Sequence, residues 1–236
     1  MSKISVINGV GPGNGAHFAR RFAREGHAVA LLSRSGEYLE ELAAEINDGG
    51  GRALAVPADV TDPASVAAAF ARVREHLGEV DTLIQNAAGG ARGPFLEIEP
   101  ERFEESHRVS VMGAVYSFRE VLPAMAKRGS GNVVMVGATA SLRGGNGFSA
   151  FAVAKFGQRA LAQSVAREFG PRGVHVSHVI IDGVIDNPRS RGRMADKPDS
   201  FFLSAAHIAD VVWDLVNQPR STWSHEIDLR PFGEKW

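Results

Sequence analysis

Short apolar runs alternate with longer segments of helical spacing along almost the whole chain. The apolar runs predict strands at residues 3–8, 27–33, 53–59, 81–87, 132–138, 174–181 and 225–230. Apolar residues at every third or fourth position predict helices at 16–26, 37–46, 64–78, 101–127, 149–169 and 206–217. This alternation is typical of a parallel sheet with helices on both faces, and no linker or repeat interrupts it. We therefore expect an α/β fold, with one doubly wound domain over residues 1–236 and a mostly parallel seven-stranded sheet.

Composition narrows the classes of function without naming one. The net charge of −1 gives no reason to expect nucleic acid or a membrane surface as a partner. The absence of cysteine excludes disulfides, thiolate catalysis and cysteine metal sites, and no metal site is predicted. Neither a signal peptide nor an apolar span of membrane length is recognisable, so a cytoplasmic location is expected.

A glycine cluster separates the first predicted strand from the first predicted helix. Gly9, Gly11, Gly13 and Gly15 lie within the segment INGVGPGNGAHFA. Glycines at this position allow a tight turn and let backbone N–H groups approach a pyrophosphate at the helix N-terminus. The alternative is a glycine-rich turn that binds nothing. The place of the loop, between strand and helix, favours a dinucleotide site.

The end of the second predicted strand bears on the choice of dinucleotide. An acidic residue is typical there in proteins that bind NAD, but this strand ends in Ser33 and Arg34. A carboxylate would repel a 2′-phosphate, whereas a hydroxyl and a guanidinium would bind it. We therefore expect NADP, with NADPH preferred over NADH. The alternative is that Arg34 is a solvated surface residue.

Further motifs follow the third, fourth and sixth predicted strands, at Asp59-Val60, Asn86-Ala87-Ala88 and Gly183. With the segment 8–15 and the helix that carries Lys155, their order and spacing resemble the short-chain dehydrogenase/reductase family over nearly the whole chain. The resemblance implies a Rossmann fold and a mobile substrate lid at about residues 187–203. It also implies a set of cofactor-binding residues. These are Asn8, Gly9, Gly11, Gly13, Asn14, Gly15, Ser33, Arg34, Asp59, Val60, Asn86, Ala87, Ala88, Lys155, Gly183, Ile185 and Asn187.

The resemblance also places the family's catalytic tetrad of Asn, Ser, Tyr and Lys. By spacing, these fall on Ser110, Ala138, Phe151 and Lys155, so three of the four differ. The family's tyrosine exchanges a proton with the substrate oxygen, and its serine donates a hydrogen bond to that oxygen. Loss of a general acid lowers a rate by roughly 10²–10⁴, and loss of an oxyanion donor by roughly 10²–10³. Ordinary ketone reduction is therefore not expected.

Other polar residues could act in place of the missing acid. The predicted catalytic set is Lys155, Ser110 and Asp182. Asp182 is included because its carboxyl group would follow the sixth strand, near the edge where such sheets bind ligands. The alternative for Asp182 is that it caps a turn. Lys155 could hold the nicotinamide ribose, as the family's lysine does, or be an ordinary helix lysine.

Two hypotheses about function remain open from sequence. One is an atypical oxidoreductase that transfers hydride between NADP(H) and a small organic substrate, such as an iminium ion, that needs no protein acid. The other is an inactive NADP(H)-binding protein with a regulatory or structural role. A weaker third option is a chain that binds no dinucleotide.

Two further expectations concern substrates and assembly. Arg189, Arg191, Arg193 and Lys197 in the lid would recruit an anionic substrate or cofactor phosphate, unless the segment is simply a solvated loop. Resemblance to the family, whose equivalents of helices 101–127 and 149–169 pair across two-fold axes, implies a homodimer or homotetramer.

Overall fold

The computed structural model describes residues 2–234 and contains a parallel sheet of seven strands. Nine strands lie within residues 2–234, seven of them in this sheet: β1 (Ile4–Asn8), β2 (Ala28–Ser33), β3 (Arg52–Pro57), β4 (Thr82–Gln85), β5 (Gly131–Val136), β6 (Val174–Ile181), β7 (Val184–Ile185), β8 (Phe202–Leu203) and β9 (Glu226–Leu229). The order in the large sheet is β3-β2-β1-β4-β5-β6-β9, while β7 pairs with β8 separately. The predicted fold class is confirmed. Every strand of the large sheet begins and ends within two residues of its predicted bounds.

Helices cover both faces of this sheet. They are α1 (Asn14–Arg24), α2 (Gly36–Asp48), α3 (Pro63–His76), α4 (Pro100–His107), α5 (Gly113–Arg128), α6 (Ser149–Phe169), α7 (Pro188–Arg193) and α8 (Ala205–Val216). One core cluster joins α3, α5 and α6 to the sheet, and another joins α1, α2 and α8 to it. Within residues 2–234, no helix is both long and apolar enough to cross a membrane.

Local sequence explains where α3 begins. The side chain of Asp62 accepts a hydrogen bond of 2.9 Å from the backbone N–H of Ala64, and Pro63 occupies the first turn. An acidic cap satisfies a backbone donor that the helix itself cannot pair, and proline loses nothing where its missing N–H would be unpaired. This start agrees with the prediction from the sequence.

The prediction of one continuous helix at 101–127 was wrong in one respect. The chain is helical from residue 100 to residue 128, but the turns at Arg108–Met112 are π-helical and divide α4 from α5. Ser110 lies in this wider segment and is fully buried. A single extra residue in a helical turn hardly changes the spacing of apolar residues, so the hydrophobic pattern cannot reveal it.

Candidate functional site

A cavity of about 170 Å³ lies at the carboxyl ends of β1 and β4, beside the first turn of α1. Three distant segments form it: the loop after β1, the end of β4 and the segment after β6. The residues that line it are Gly9, Gly11, Gly13, Asn14, Gly15, Asn86, Ile185 and Asn187. All of them belong to the set that the sequence predicts to bind a cofactor. The carboxyl edge of a parallel sheet is also where such folds bind ligands.

The loop after β1 can lie so close to the loop after β4 only because of its glycines. Gly9 has a φ of +93°, and a Cβ atom there would lie 2.4 Å from the backbone nitrogen of Ala87. A Cβ at Gly15 would lie 2.7 Å from Cα of Val10. The Asn86 side chain joins the two loops, since its Nδ2 donates a hydrogen bond of 2.7 Å to the carbonyl of Gly9.

The N-terminus of α1 is open to an anion. Gly13 precedes the helix without a side-chain cap, and the first turn contains no acidic residue. A helix N-terminus carries partial positive charge, so an anion there is stabilised. Asn14 is buried, and its Oδ1 has no hydrogen-bond partner among residues 2–234. A Cβ on Gly11 would meet no protein atom within 4 Å. These features fit a dinucleotide pyrophosphate.

The residues expected to meet the adenosine end lie outside this cavity. Ser33 ends β2, and its buried hydroxyl oxygen has no partner among the described residues. Arg34 is exposed, and it forms no ion pair within residues 2–234. Asp59 accepts hydrogen bonds from the backbone and the hydroxyl of Thr61, which hold the pKa of its carboxyl below the ordinary value. Val60 lies against α5, where a Cβ on Gly113 would be 3.0 Å from its own Cβ.

Several predicted contacts have a structural role instead. The Asn8 side chain is fully buried and donates hydrogen bonds to the side chains of Gln85 and Ser117, so it does not reach the cavity. Ala88 is exposed but does not line the cavity, and Gly183 has a φ of +152°, with Pro231 beside it.

Asn187 lines the cavity, but its amide is already used within the chain. Its Oδ1 accepts a hydrogen bond of 3.0 Å from the backbone N–H of Ser190, which caps α7. Its Nδ2 donates to the carbonyl of Ile185 at 3.1 Å. The side chain therefore joins the cavity to the start of α7.

Lys155 is almost completely buried, with 3 % of its surface exposed. Its Nζ donates a hydrogen bond of 2.9 Å to the carbonyl of Val136, at the end of β5, and lies 5.7 Å from the centre of the Phe151 ring. Burial without a neighbouring carboxylate lowers the pKa of this amine to about 7. Near neutral pH a substantial fraction of Lys155 is therefore uncharged.

The other two predicted catalytic residues do not lie at this cavity. The Ser110 hydroxyl donates to the carbonyl of Gly89 and accepts from its N–H, both at 3.1 Å, and its own carbonyl accepts from Gln158. Ser110 thus fastens the loop after β4 to the helices. Asp182 accepts a hydrogen bond from the hydroxyl of Thr139 and lies 3.6 Å from a guanidinium nitrogen of Arg230. It lines a second cavity, also of about 170 Å³.

Sequence reasoning missed Arg92, which lies above Phe151. Its Cζ is 5.1 Å from the ring centre of Phe151 and 5.1 Å from that of Phe148. The Phe151 ring also packs on Gly90, where a Cβ would lie 2.3 Å from the ring. A basic residue two positions after a Gly-Gly pair was the only cue in the sequence, and it does not reveal the contact with α6.

The segment expected to be a lid contains the short helix α7, and one of its positive charges, that of Arg191, is neutralised by acidic side chains. Arg191 donates hydrogen bonds to both carboxylate oxygens of Asp186, each at 2.7 Å, and a third of 2.6 Å to Asp199. Its charge is therefore already paired within the chain, which argues against recruitment of a substrate anion by Arg191, one of the two interpretations of this segment that the sequence left open. Arg189 and Arg193, which lie on the same short helix, form no ion pair within residues 2–234.

Several known proteins have a similar sequence and the same fold. The chain is 32 % identical to 2-(R)-hydroxypropyl-CoM dehydrogenase of Xanthobacter autotrophicus, over 92 % of each chain. It is 36 % identical to the crystal structure of a short-chain dehydrogenase from Rhodopseudomonas palustris, with a TM-score of 0.84, over 98 % of this chain and 99 % of that one. It is 26 % identical to an alcohol dehydrogenase from the archaeon Thermococcus sibiricus complexed with 5-hydroxy-NADP, with a TM-score of 0.89, over 100 % and 99 % of the two chains. Residues 3–197 match the short chain dehydrogenase family. The chain therefore belongs to the short-chain dehydrogenase family and is an oxidoreductase of that family.

Proposed function

We propose that this oxidoreductase uses NADP(H), with NADPH preferred over NADH, and that the cavity beside α1 holds the cofactor. The observation that carries the proposal is the convergence of three predicted cofactor-binding segments on one cavity at the N-terminus of a helix. The Thermococcus sibiricus relative, which was solved with 5-hydroxy-NADP, supports it. When bound, the cofactor supplies hydride chemistry.

Each part of the site would bind a different part of the cofactor. The loop around Gly11 and the first turn of α1 would bind the pyrophosphate through backbone N–H groups. The unpartnered hydroxyl of Ser33 and the guanidinium of Arg34 would bind the 2′-phosphate. Lys155, which uses one of its donors on Val136, would direct another to the nicotinamide ribose.

The proposed substrate is a small organic molecule that needs no proton from the protein. We assign Phe151 and Ala138 to the positions of the family's tyrosine and serine. Phe151 has no acidic proton, and Ala138 has no hydrogen-bond donor. An iminium carbon meets this requirement, because the arriving hydride neutralises it. Phe151 would then contribute an apolar wall that excludes water from the reacting carbon.

A second candidate is an NADP(H)-binding protein without catalytic activity. The close packing of the Phe151 ring on Gly90 favours it, because this ring fills space beside Lys155. The two candidates share the cofactor site and differ only in turnover.

Titration with NADPH and with NADH tests the cofactor assignment. We expect tighter binding of NADPH, and we expect Arg34→Ala to weaken NADPH binding by about tenfold or more while NADH binding changes little, because a charge-assisted hydrogen bond to the phosphate is lost. Equal loss for both dinucleotides would contradict the role of Arg34.

Turnover separates the two candidates. Purified protein with NADPH would be offered iminium ions, activated alkenes and carbonyl compounds. Cofactor oxidation with an iminium ion supports the atypical enzyme, whereas tight NADPH binding without oxidation of the cofactor by any compound supports the inactive protein.

We also propose that the protein is a homodimer or homotetramer and that it is located in the cytoplasm.

A further inference from the structure

Arg92 forms an aromatic and cationic cluster beside the proposed cofactor cavity. Its guanidinium lies over the rings of Phe148 and Phe151, each at 5.1 Å. The loop that carries it is held against the loop before α6, because the N–H of Gly93 donates a hydrogen bond of 2.9 Å to the carbonyl of Gly147. Arg92 is exposed, and its contacts with the two rings give the guanidinium a defined place at the surface.

Among the residues that the structure describes, no acidic side chain neutralises the charge of Arg92. Within residues 2–234, Arg92 forms no ion pair and its guanidinium donates no hydrogen bond to the protein. Partial burial of the guanidinium, and then the positive charges of Arg193 and Arg189, lower the pKa of Arg92, although the residue as a whole is exposed. The charges of Arg189 and Arg193 are thus near enough to repel that of Arg92, none of the three forms an ion pair within residues 2–234, and a bound anion would relieve the repulsion.

Two segments of the chain lead from the three arginines to the cavity. Arg92 lies on the loop that begins at Asn86, and Arg189 and Arg193 lie on the helix that Asn187 caps. Both asparagines line the cavity. The proposal places a ligand held by the arginines on the side of the cavity to which these two segments lead.

We propose that Arg92, Arg189 and Arg193 bind the carboxylate of a small organic acid whose apolar part contacts Phe148 and Phe151. The planar guanidinium matches a carboxylate with two parallel hydrogen bonds, and the two rings offer an apolar surface beside it. This assignment rests on the proposed function and refines its substrate: an iminium ion that also carries a carboxylate would place that anionic group at the arginines, which would repel a simple cation. Binding of an organic acid can be measured without turnover.

Benzoate and benzamide are a matched pair of probes, since they share the ring and differ in charge. Calorimetric titration of the full-length protein, with and without NADPH, is expected to show benzoate binding at least about tenfold tighter than benzamide. Arg92→Gln is expected to remove about tenfold or more of the benzoate affinity and to leave benzamide binding unchanged.

Arg172→Gln is the matched control. Arg172 also lies over a phenylalanine ring, that of Phe169, at 4.9 Å, but it is located just before the amino end of β6, at the opposite edge of the sheet. We expect this variant to bind benzoate like the unmodified protein. If Arg92→Gln unfolds, as thermal unfolding would reveal, the exposed double variant Arg189→Gln/Arg193→Gln carries the test, and we expect it to bind benzoate more weakly.

The proposal is overturned if the folded protein binds benzoate and benzamide alike or binds neither. It is also overturned if Arg92→Gln, or the double variant used in its place, keeps the benzoate affinity of the Arg172→Gln control. Failure of the proposed function has a different signature, because NADPH would then fail to bind while benzoate still binds in an Arg92-dependent way.

Discussion

Substitution of Gly9 by alanine should destabilise the fold strongly. The left-handed φ of +93° costs an alanine about 1–2 kcal/mol. The new Cβ would also lie 2.4 Å from the backbone nitrogen of Ala87, which cannot move away as a side chain end could. Forced displacement of packed groups costs roughly 1–3 kcal/mol more. We therefore expect Gly9→Ala to lower the free energy of unfolding by about 2–5 kcal/mol.

Gly11→Ala is the matched control in the same loop. Its φ lies outside the left-handed region, and a Cβ there would meet no protein atom within 4 Å. The free energy of unfolding should change by less than about 0.5 kcal/mol. Since Gly11 lines the cavity, the added methyl group should obstruct the cofactor and weaken NADPH binding by about tenfold.

Urea unfolding followed by circular dichroism measures the stabilities, and fluorescence titration measures NADPH binding to the folded proteins. Our reasoning about the loop would be refuted if Gly9→Ala were as stable as the unmodified protein, or if both variants lost equal stability. Unchanged NADPH affinity in Gly11→Ala would instead contradict the placement of the cofactor.

Three further predictions concern charge, chemistry and assembly. From about pH 7 to pH 9 the unfolded chain keeps Lys155 protonated while the folded chain releases that proton, so stability should rise with pH, by up to about 1.4 kcal/mol per unit from this residue. Urea titrations at several pH values should show a flatter profile for Lys155→Met, and identical profiles would contradict the low pKa. The double variant Phe151→Tyr/Ala138→Ser should gain NADPH-dependent carbonyl reduction, measured by cofactor oxidation. A variant that binds NADPH normally yet remains inert would show that the substrate pocket has diverged from the family. Val153 and Phe156 on α6 are 59 % and 42 % exposed, so Val153→Asp/Phe156→Asp should reduce the oligomer mass measured by sedimentation. An unchanged mass would place the interface elsewhere.

The positions of strands were predictable because buried strands of a parallel sheet are short apolar runs. Residues 174–181 are an example, since all eight side chains of β6 are buried, and the predicted bounds of that strand are those in the structure. The predicted helix at 149–169 also has the bounds of α6. The strand is predictable because the apolar composition of the segment already shows that it is buried, and the helix because its apolar residues recur with helical spacing.

The roles of individual polar side chains were less predictable. Asn8 belongs to a glycine motif, yet its amide faces Gln85 and Ser117 in the interior. Ser110 and Asp182 were candidates for catalysis because of their places along the chain, and each is engaged by partners far away in sequence. A motif gives the approximate place of a residue, whereas the direction of its side chain depends on packing.

The sequence by itself determined the alternation of strands and helices, the glycine loop before α1 and the lack of a phenolic proton at Phe151. Only the tertiary structure decided that Arg92 lies over Phe148 and Phe151, that Arg191 is neutralised, and that Lys155 is buried against β5. The physical reason is the separation along the chain of the groups that interact. Strand, helix and turn preferences arise from local backbone sterics and from the periodicity of apolar residues. The charge and exposure of a side chain depend on groups that only the folded chain brings within a few ångströms.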